Sequence, residues 1–520
     1  MKGTIRYKIE DRTVEREVNY VPFRYILAIV IAVLETAAIV GSVIALSYYV
    51  PYFYLLVWCT EIACVIRIIA SEDNPDYKIP WLMVVLLIPI AGFMMYFLFY
   101  SRKLKRKYVK RLEELKHQSY ENDDSALFEE LQQLSPQVCS QAKMLCGIAD
   151  THLFSQTAQK YFPLGEQMHE AMLQDLRQAK KFIFLEYFII EEGVFWNSIL
   201  EILKEKASQG VEVKVLYDDI GCMMTLPGNY FKILQSYGIE ALPFSFLKGN
   251  ADSEFNNRSH RKIMVIDGRV GYTGGINIAD EYINRVERFG HWKDVGVRLE
   301  GEAVHELTEL FLIDFNLNRR KKLEPKAAYY PEHPMKEAGY LIPFGDGPSP
   351  IYSRRVGKSV IENMLNQATR YVWIMTPYLI IDNELCQTIE NTALRGVDVK
   401  LIVPHIPDKK LVFEMTRGYY QRLLDAGVEI YEYEPGFIHA KCYLADDELA
   451  MVGTINLDYR SLVHHFENGV WMYCCSCIED IRADFADTLG KSIRMEGDLV
   501  KWSLLQRFLR AVVKVFAPML

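Results

Sequence analysis

His260-Arg261-Lys262-Ile263-Met264-Val265-Ile266-Asp267, followed after six residues by Gly274-Gly275-Ile276-Asn277, returns later in the chain. The second copy is His439-Ala440-Lys441-Cys442-Tyr443-Leu444-Ala445-Asp446, followed after six residues by Gly453-Thr454-Ile455-Asn456. A single His-x-Lys-x4-Asp arises by chance in a chain this long with a probability of roughly a few per cent, so one copy alone is a weak motif. Two copies, each extended by Gly-[Gly/Thr]-x-Asn at the same offset, mark a duplication.

The flanks repeat in step. Residues 179–190 align with 368–379, Gly210-Val211-Glu212-Val213-Lys214-Val215 with Gly396-Val397-Asp398-Val399-Lys400-Leu401, and Gly238-Ile239-Glu240 with Gly427-Val428-Glu429. Each unit reads as an apolar strand, an amphipathic helix such as 198–208, a second strand, a helix, and then the motif on a strand that runs into a glycine turn. Repeated β-α-β order predicts an α/β fold with mixed, mostly parallel sheets flanked by helices. A duplicated motif inside a duplicated domain predicts two half-sites that meet.

The residue types are suited to a phosphodiester. Of the two histidines, one can be a nucleophile and the other a general acid, because imidazole titrates nearest neutrality. Residues two apart on an extended segment share a face, so His260 with Lys262, and His439 with Lys441, point into one site. Asn277 and Asn456 join the lysines as expected ligands of the phosphate oxygens. Asp267 and Asp446 complete the candidate catalytic set of the motif; each opens a short turn, where aspartate bonds its own backbone, and a structural role is expected of them. The glycines Gly274-Gly275 and Gly453 allow a tight turn and close backbone approach.

The two motifs resemble those of the phospholipase D superfamily, and the wording around them resembles bacterial cardiolipin synthases of the Gram-positive type. Asn256-Asn257-Arg258-Ser259-His260, Ile278-Ala279-Asp280-Glu281-Tyr282, Pro435-Gly436-Phe437-Ile438-His439 and Leu457-Asp458-Tyr459-Arg460-Ser461 carry the likeness, which extends from about residue 51 to the C terminus. The resemblance implies a two-step phosphatidyl transfer through a phosphatidyl-histidine, with His260 as nucleophile and His439 as acid and then base. It also implies a carboxylate behind each imidazole to fix its tautomer. Glu467, 28 residues after His439, stands where the superfamily carries one; Asp294 is the expected partner of His260. Many superfamily members have a serine after the motif glycine, where this chain has Gly275 and Thr454.

Three apolar runs precede the repeats: 25–49, interrupted by Glu35; 52–70, holding Glu61 and Arg67; and 79–100, without charge. Runs near twenty residues are long enough for a hydrocarbon core of about 30 Å. Arg102, Lys103, Lys105, Arg106, Lys107, Lys110 and Arg111 follow the third run and place the catalytic part in the cytoplasm of a multi-pass bacterial membrane protein. Three spans then put the N terminus outside, in conflict with Lys2, Arg6, Lys8, Arg12, Arg16 and Arg24; a re-entrant second run would remove the conflict. Trp502, Leu505, Phe508, Leu509, Val512 and Phe516, with Lys501, Arg507, Arg510 and Lys514, read as an amphipathic helix that lies in an interface with anionic lipid or packs on the catalytic domain.

A net charge of −8 argues against a nucleic-acid partner. No phosphate-binding glycine loop occurs, so no nucleotide cofactor is expected, and the ten cysteines lack the paired spacing of a metal site, so no metal is expected either. The expected organisation is a membrane region at 1–100 with two or three transmembrane helices and a connecting arm at 101–165. Phospholipase D-like halves at 166–330 and 331–500 follow, then an amphipathic helix at 501–520. The expected activity joins two phosphatidylglycerols into cardiolipin and glycerol; the competing readings are a hydrolase or nuclease using water, and a scaffold with a degenerate site.

Overall fold

The computed structural model describes residues 2–9, 12–19, 23–49, 51–71, 74–99, 110–112, 114–115, 122–244, 257–319, 326–349, 351–352 and 354–496. The basic residues 102–107 and the expected helix 501–520 lie outside them.

At the N terminus β1 (Lys2–Ile9) and β2 (Arg12–Asn19) form an antiparallel hairpin in which Arg6 stands opposite Glu15. Helices α1 (Phe23–Tyr49) and α2 (Pro51–Ala70) follow, with Pro51 preset for the first helical turn. Among the described residues, Tyr52–Ala70 is the helix long and apolar enough to cross a membrane, and Val33–Leu46 of α1 is a shorter apolar stretch. The third run, expected to be continuous, is two helices, α3 (Pro75–Leu87) and α4 (Pro89–Phe99). Pro89 has no N–H and crowds the residue before it; Ile88 accordingly leaves the helical region at ψ 73°.

The first half contains β3 (Ala158–Phe162), β4 (Phe182–Tyr187), β5 (Glu212–Asp218), β6 (Glu240–Phe244), β7 (Lys262–Ile266), β8 (Val270–Gly274), β9 (His291–Lys293) and β10 (Gly296–Glu300). Its sheet has the order β3-β10-β8-β7-β4-β5-β6. The second half contains β11 (Tyr340–Asp346), β12 (Tyr371–Met375), β13 (Leu379–Ile380), β14 (Asp398–Pro404), β15 (Glu429–Tyr433), β16 (Gly436–Ile438), β17 (Cys442–Ala445), β18 (Leu449–Gly453), β19 (Leu457–Asp458), β20 (Glu467–Tyr473) and β21 (Ser492–Met495). Its order, β11-β20-β18-β17-β12-β14-β15-β21, repeats the first strand for strand and adds β21 at the edge.

The sheets are mixed, but the parallel share is smaller than expected. Within the two large sheets only β4-β5-β6 and β12-β14-β15 run parallel. From each motif strand outward the pairing is antiparallel: β7 with β4 and β8, and β17 with β12 and β18. The cause is local. Asp267 and Gly268, and Asp446 and Asp447, all hold positive φ, so each motif strand turns straight back on itself as a hairpin.

Helix Val194–Ser208 shows how the layers are held. Phe195, Trp196, Ile199, Leu200, Ile202 and Leu203 form its buried stripe against the sheet. Burying each such side chain stabilises by about 1.5–3 kcal/mol. Between the two halves, helix Val304–Asn318 is buried along nearly its whole length, its polar His305, Glu306, Glu309, Asp314 and Asn316 included.

The stretch expected to be a connecting arm joins this core, through Leu112 and Leu115 and then from residue 125 onward. Helices Ser125–Leu134 and Pro136–Ala149 bury Leu131, Cys139 and Leu145 in it. Phe154 exchanges two backbone hydrogen bonds of 2.9 Å with Leu341 of β11, and β3 is already an edge strand of the first sheet.

Candidate active site

Each motif histidine stands just before its strand, and the chain on either side is pinned. Arg258 makes a two-pronged ion pair with Asp218, with Nε–Oδ2 at 2.9 Å and Nη2–Oδ1 at 2.8 Å. The Ser259 hydroxyl donates to Glu186 at 2.6 Å. Arg261 points away from the site, as alternation along an extended chain requires. It donates to Asp314 at 2.8 Å, to the Glu467 carbonyl at 3.0 Å and to the Tyr352 hydroxyl at 3.1 Å, tying one half to the other.

Two reciprocal backbone bridges bring the half-sites together. His260 N–H donates to the Phe466 carbonyl at 2.8 Å, and His439 N–H to the Lys293 carbonyl at 2.7 Å, where β16 runs parallel to β9. The residue after each acceptor is a carboxylate of the opposite half. His260 Nδ1 lies 2.9 Å from Glu467, and His439 Nδ1 lies 2.7 Å from Asp294. The pairing is therefore crossed: Asp294 belongs to His439 and not, as expected, to His260.

The two carboxylates differ in their surroundings. Glu467 also accepts from the Thr454 and Ser461 hydroxyls, the latter at 2.7 Å, with His465 Nδ1 3.6 Å away. Burial works against its charge, yet His260 and His465 hold Glu467 below the usual carboxylate range. Asp294 receives the Val295 N–H at 2.8 Å and no such hydroxyls. Burial pushes it up to about 7, against the pull of Lys441. Gly275 is needed here, because a Cβ on it would lie 2.0 Å from Asp294 Oδ1. Thus the position expected to carry a hydroxyl makes room for a carboxylate in one half, while Thr454 in the other turns its hydroxyl onto Glu467.

Burial also moves the bases. The imidazoles are driven towards the neutral form, His260 down to about 3 and His439 well below its ordinary value. Lys262 falls to about 7 and Lys441 to about 8, each by burial that Glu467 or Asp294 only partly offsets. Lys262 Nζ donates to the His260 carbonyl at 2.7 Å, and Lys441 Nζ stands 2.7 Å from His439 Nδ1. The walls are aromatic. Phe188 lies edge-on to His260 at 5.1 Å; Tyr282, Trp292 and Phe437 surround His439 at 5.4–5.9 Å.

The other motif residues divide. Asp267 accepts from the backbone N–H groups of Lys180, Lys181 and Phe182, and Asp446 from those of Thr369, Arg370 and Tyr371. Both have a structural role, but each clamps the start of a distant strand, β4 or β12, where bonds within its own turn were expected. Asn277 accepts from Ile189 N–H and donates to the Tyr282 hydroxyl at 2.7 Å, leaving one amide N–H. Asn456 reaches Asp458 at 3.3 Å and keeps a buried Oδ1 without a partner.

His465 was not anticipated. It corresponds to Trp292 in the other half, two residues before the carboxylate, so the duplication does not flag it. His260, His465 and Glu467 bring donor atoms within 4.8 Å of one another, a set able to take a metal ion only by surrendering the imidazole–carboxylate bond.

Comparisons with known proteins bear on the family and the fold. Residues 172–309 and 361–489 match the family described as cardiolipin synthase, PLD-like domain, and 62–99 match a phospholipase D-nuclease N-terminal domain. The chain is 32% identical over 481 residues to a cardiolipin synthase of Halalkalibacterium halodurans, covering 91% of this chain and 95% of that one. It is 33% identical to cardiolipin synthase 2 of Bacillus cereus, covering 88% and 89%. A Streptococcus mutans protein without an assigned activity is 43% identical over 88% of this chain and its own full length. The crystal structure of phosphatidylserine synthase from Haemophilus influenzae superposes with a TM-score of 0.55 at 16% identity, over 73% of this chain and 98% of that one.

Proposed function

The chain belongs to the cardiolipin synthase family of phospholipase D-like enzymes, and from that premise we propose that it joins two phosphatidylglycerols into cardiolipin and glycerol in a bacterial membrane. The observation that supports this reading is the pair of crossed imidazole–carboxylate dyads beside two buried lysines.

The unequal carboxylates distribute the roles. Glu467, held ionised, makes His260 Nδ1 the donor and leaves a lone pair on Nε2: a nucleophile. Asp294, raised by burial, shares a proton with His439: an acid. His260 Nε2 attacks phosphorus, and the P–O bond to glycerol breaks as His439 gives the departing oxygen its proton. A second phosphatidylglycerol then enters; His439 takes the proton from its hydroxyl, the new P–O bond forms, and the P–N bond to His260 breaks. One ester replaces another, so the reaction needs no nucleotide. Lys262, Lys441 and the spare N–H of Asn277 donate to the phosphate oxygens, the unpartnered Oδ1 of Asn456 accepts from a headgroup hydroxyl, and the aromatic walls keep water from the intermediate. The catalytic halves face the cytoplasm, as the basic residues after the third apolar run indicate.

The test is product analysis with purified protein in detergent and phosphatidylglycerol as sole substrate. Cardiolipin with equimolar glycerol is expected; phosphatidic acid alone overturns the transferase in favour of hydrolysis.

A pH profile follows from the same assignment. Asp294 is raised to about 7, so the shared proton is present below that value and lost above it. Turnover at saturating substrate should decline as pH rises through about 7, and Asp294→Asn, which cannot titrate, should flatten that limb as well as lower the rate. An unaltered alkaline limb in Asp294→Asn would remove the acid from this pair.

A further inference from the structure

We propose that α3 and α4 are a re-entrant hairpin whose partner is a phospholipid leaflet. It enters the lipid from the side of the catalytic halves, turns at Ile88–Pro89, and returns to that same side. The inference rests on the membrane reading above.

The fold-back is direct. Trp81 and Tyr96 are fifteen positions apart, yet their ring centroids are 5.9 Å apart; a continuous helix would separate them by about 22 Å. Gly92 lets the two helices touch, since a Cβ on it would lie 2.3 Å from the Val84 carbonyl. With 13 and 11 residues, the arms are about 20 and 16 Å long, each short of a core of about 30 Å.

The start of the hairpin is fastened to the catalytic side. At the start of α3, Asn74 donates to Asp382 at 2.9 Å, Asp76 accepts the Asn383 N–H at 2.9 Å and the Tyr459 hydroxyl at 3.3 Å, and the Tyr77 ring packs on His464 at 5.8 Å. Beyond α4, Leu112 and Leu115 are buried in the catalytic core. Arg67, in the last turn of α2, lies over Phe97 near the end of α4 at 5.7 Å, so the ends of α2 and α4 are level. A crossing third run would need these ends on opposite sides.

The far end has the composition of a lipid contact. Leu86, Leu87 and Ile88, at the turn, are exposed at 55%, 71% and 50%, and no charge occurs from Ile79 to Tyr100. An apolar tip on a polar base, followed in the sequence by the lysines and arginines from Arg102 onward, suits one leaflet of anionic lipid. Two consequences follow. With α1 and α2 as the crossing pair, the N terminus lies on the catalytic side, where its lysines and arginines belong. In addition, the hairpin base rests on the segment between Tyr459 and His464, which carries Ser461, a donor to Glu467, so headgroups at the leaflet surface arrive beside His260.

The experiment is labelling of full-length protein by an impermeant maleimide in right-side-out and inverted vesicles, in a Cys59→Ser background. Exposed Cys474 marks the catalytic side. Pro75→Cys, at the hairpin base, is expected to react on the side of Cys474, and Tyr52→Cys, in the first turn of α2, on the other. Should Pro75→Cys be unreactive from both sides, Ser71→Cys reads the same connection. Reaction of either base position opposite Cys474 overturns the hairpin. Reaction of Tyr52→Cys on the side of Cys474 would instead overturn the crossing of α1 and α2 and leave the hairpin standing.

Discussion

His260→Ala and His439→Ala should each reduce cardiolipin formation by about 10⁴-fold or more, and the double variant should be no worse than either, because groups that act as one unit do not contribute additively. The structural reason is that neither half holds a complete site. His260 is oriented by Glu467 of the second half and His439 by Asp294 of the first, so removing one imidazole leaves the other with a task and no counterpart. The measurement is product formation from labelled phosphatidylglycerol. The variants should fold, since the walls that bury each histidine are aromatic side chains of other segments. Activity above about a tenth of wild type in either single variant would exclude a single shared site.

Much of this arrangement is legible in the sequence, because duplication converts weak signals into strong ones. Two copies of His-x-Lys at one offset identify the site, and the Gly-Val and Gly-Ile repeats identify the halves. Other features needed three dimensions. That Asp294 serves His439 depends on His439 N–H finding the Lys293 carbonyl, more than 140 residues away in the chain, and nothing local to either residue records that contact. His465 has a tryptophan as its counterpart and so is silent in any self-comparison. Two departures did leave a mark. Asp267-Gly268 between apolar runs is the signature of a hairpin turn, which sets the motif strand antiparallel to the next. Pro89 in the middle of an uncharged run breaks a helix wherever it stands; run length alone concealed it.

The crossed pairing makes its sharpest claim in the first chemical step. With a substrate whose leaving group needs no proton, such as a nitrophenyl phosphatidyl ester, the nucleophile is still required and the acid is not. His439→Gln should therefore accumulate phosphatidyl-enzyme that acid quench traps on the peptide holding His260, while His260→Gln should form none. The carboxylates should sort with the histidines they touch and not with the half of the chain they occupy. Asp294→Asn should retain adduct formation with this substrate, because it weakens only the acid. Glu467→Gln should lose most of it, because an amide no longer holds His260 with Nδ1 protonated and Nε2 free. Peptide mapping after the quench reads all four variants in one measurement. Label on the peptide holding His439, with none on that holding His260, would exchange the two roles. Adduct lost in Asp294→Asn and kept in Glu467→Gln would mean that the hydrogen bonds at 2.9 and 2.7 Å do not govern which imidazole attacks.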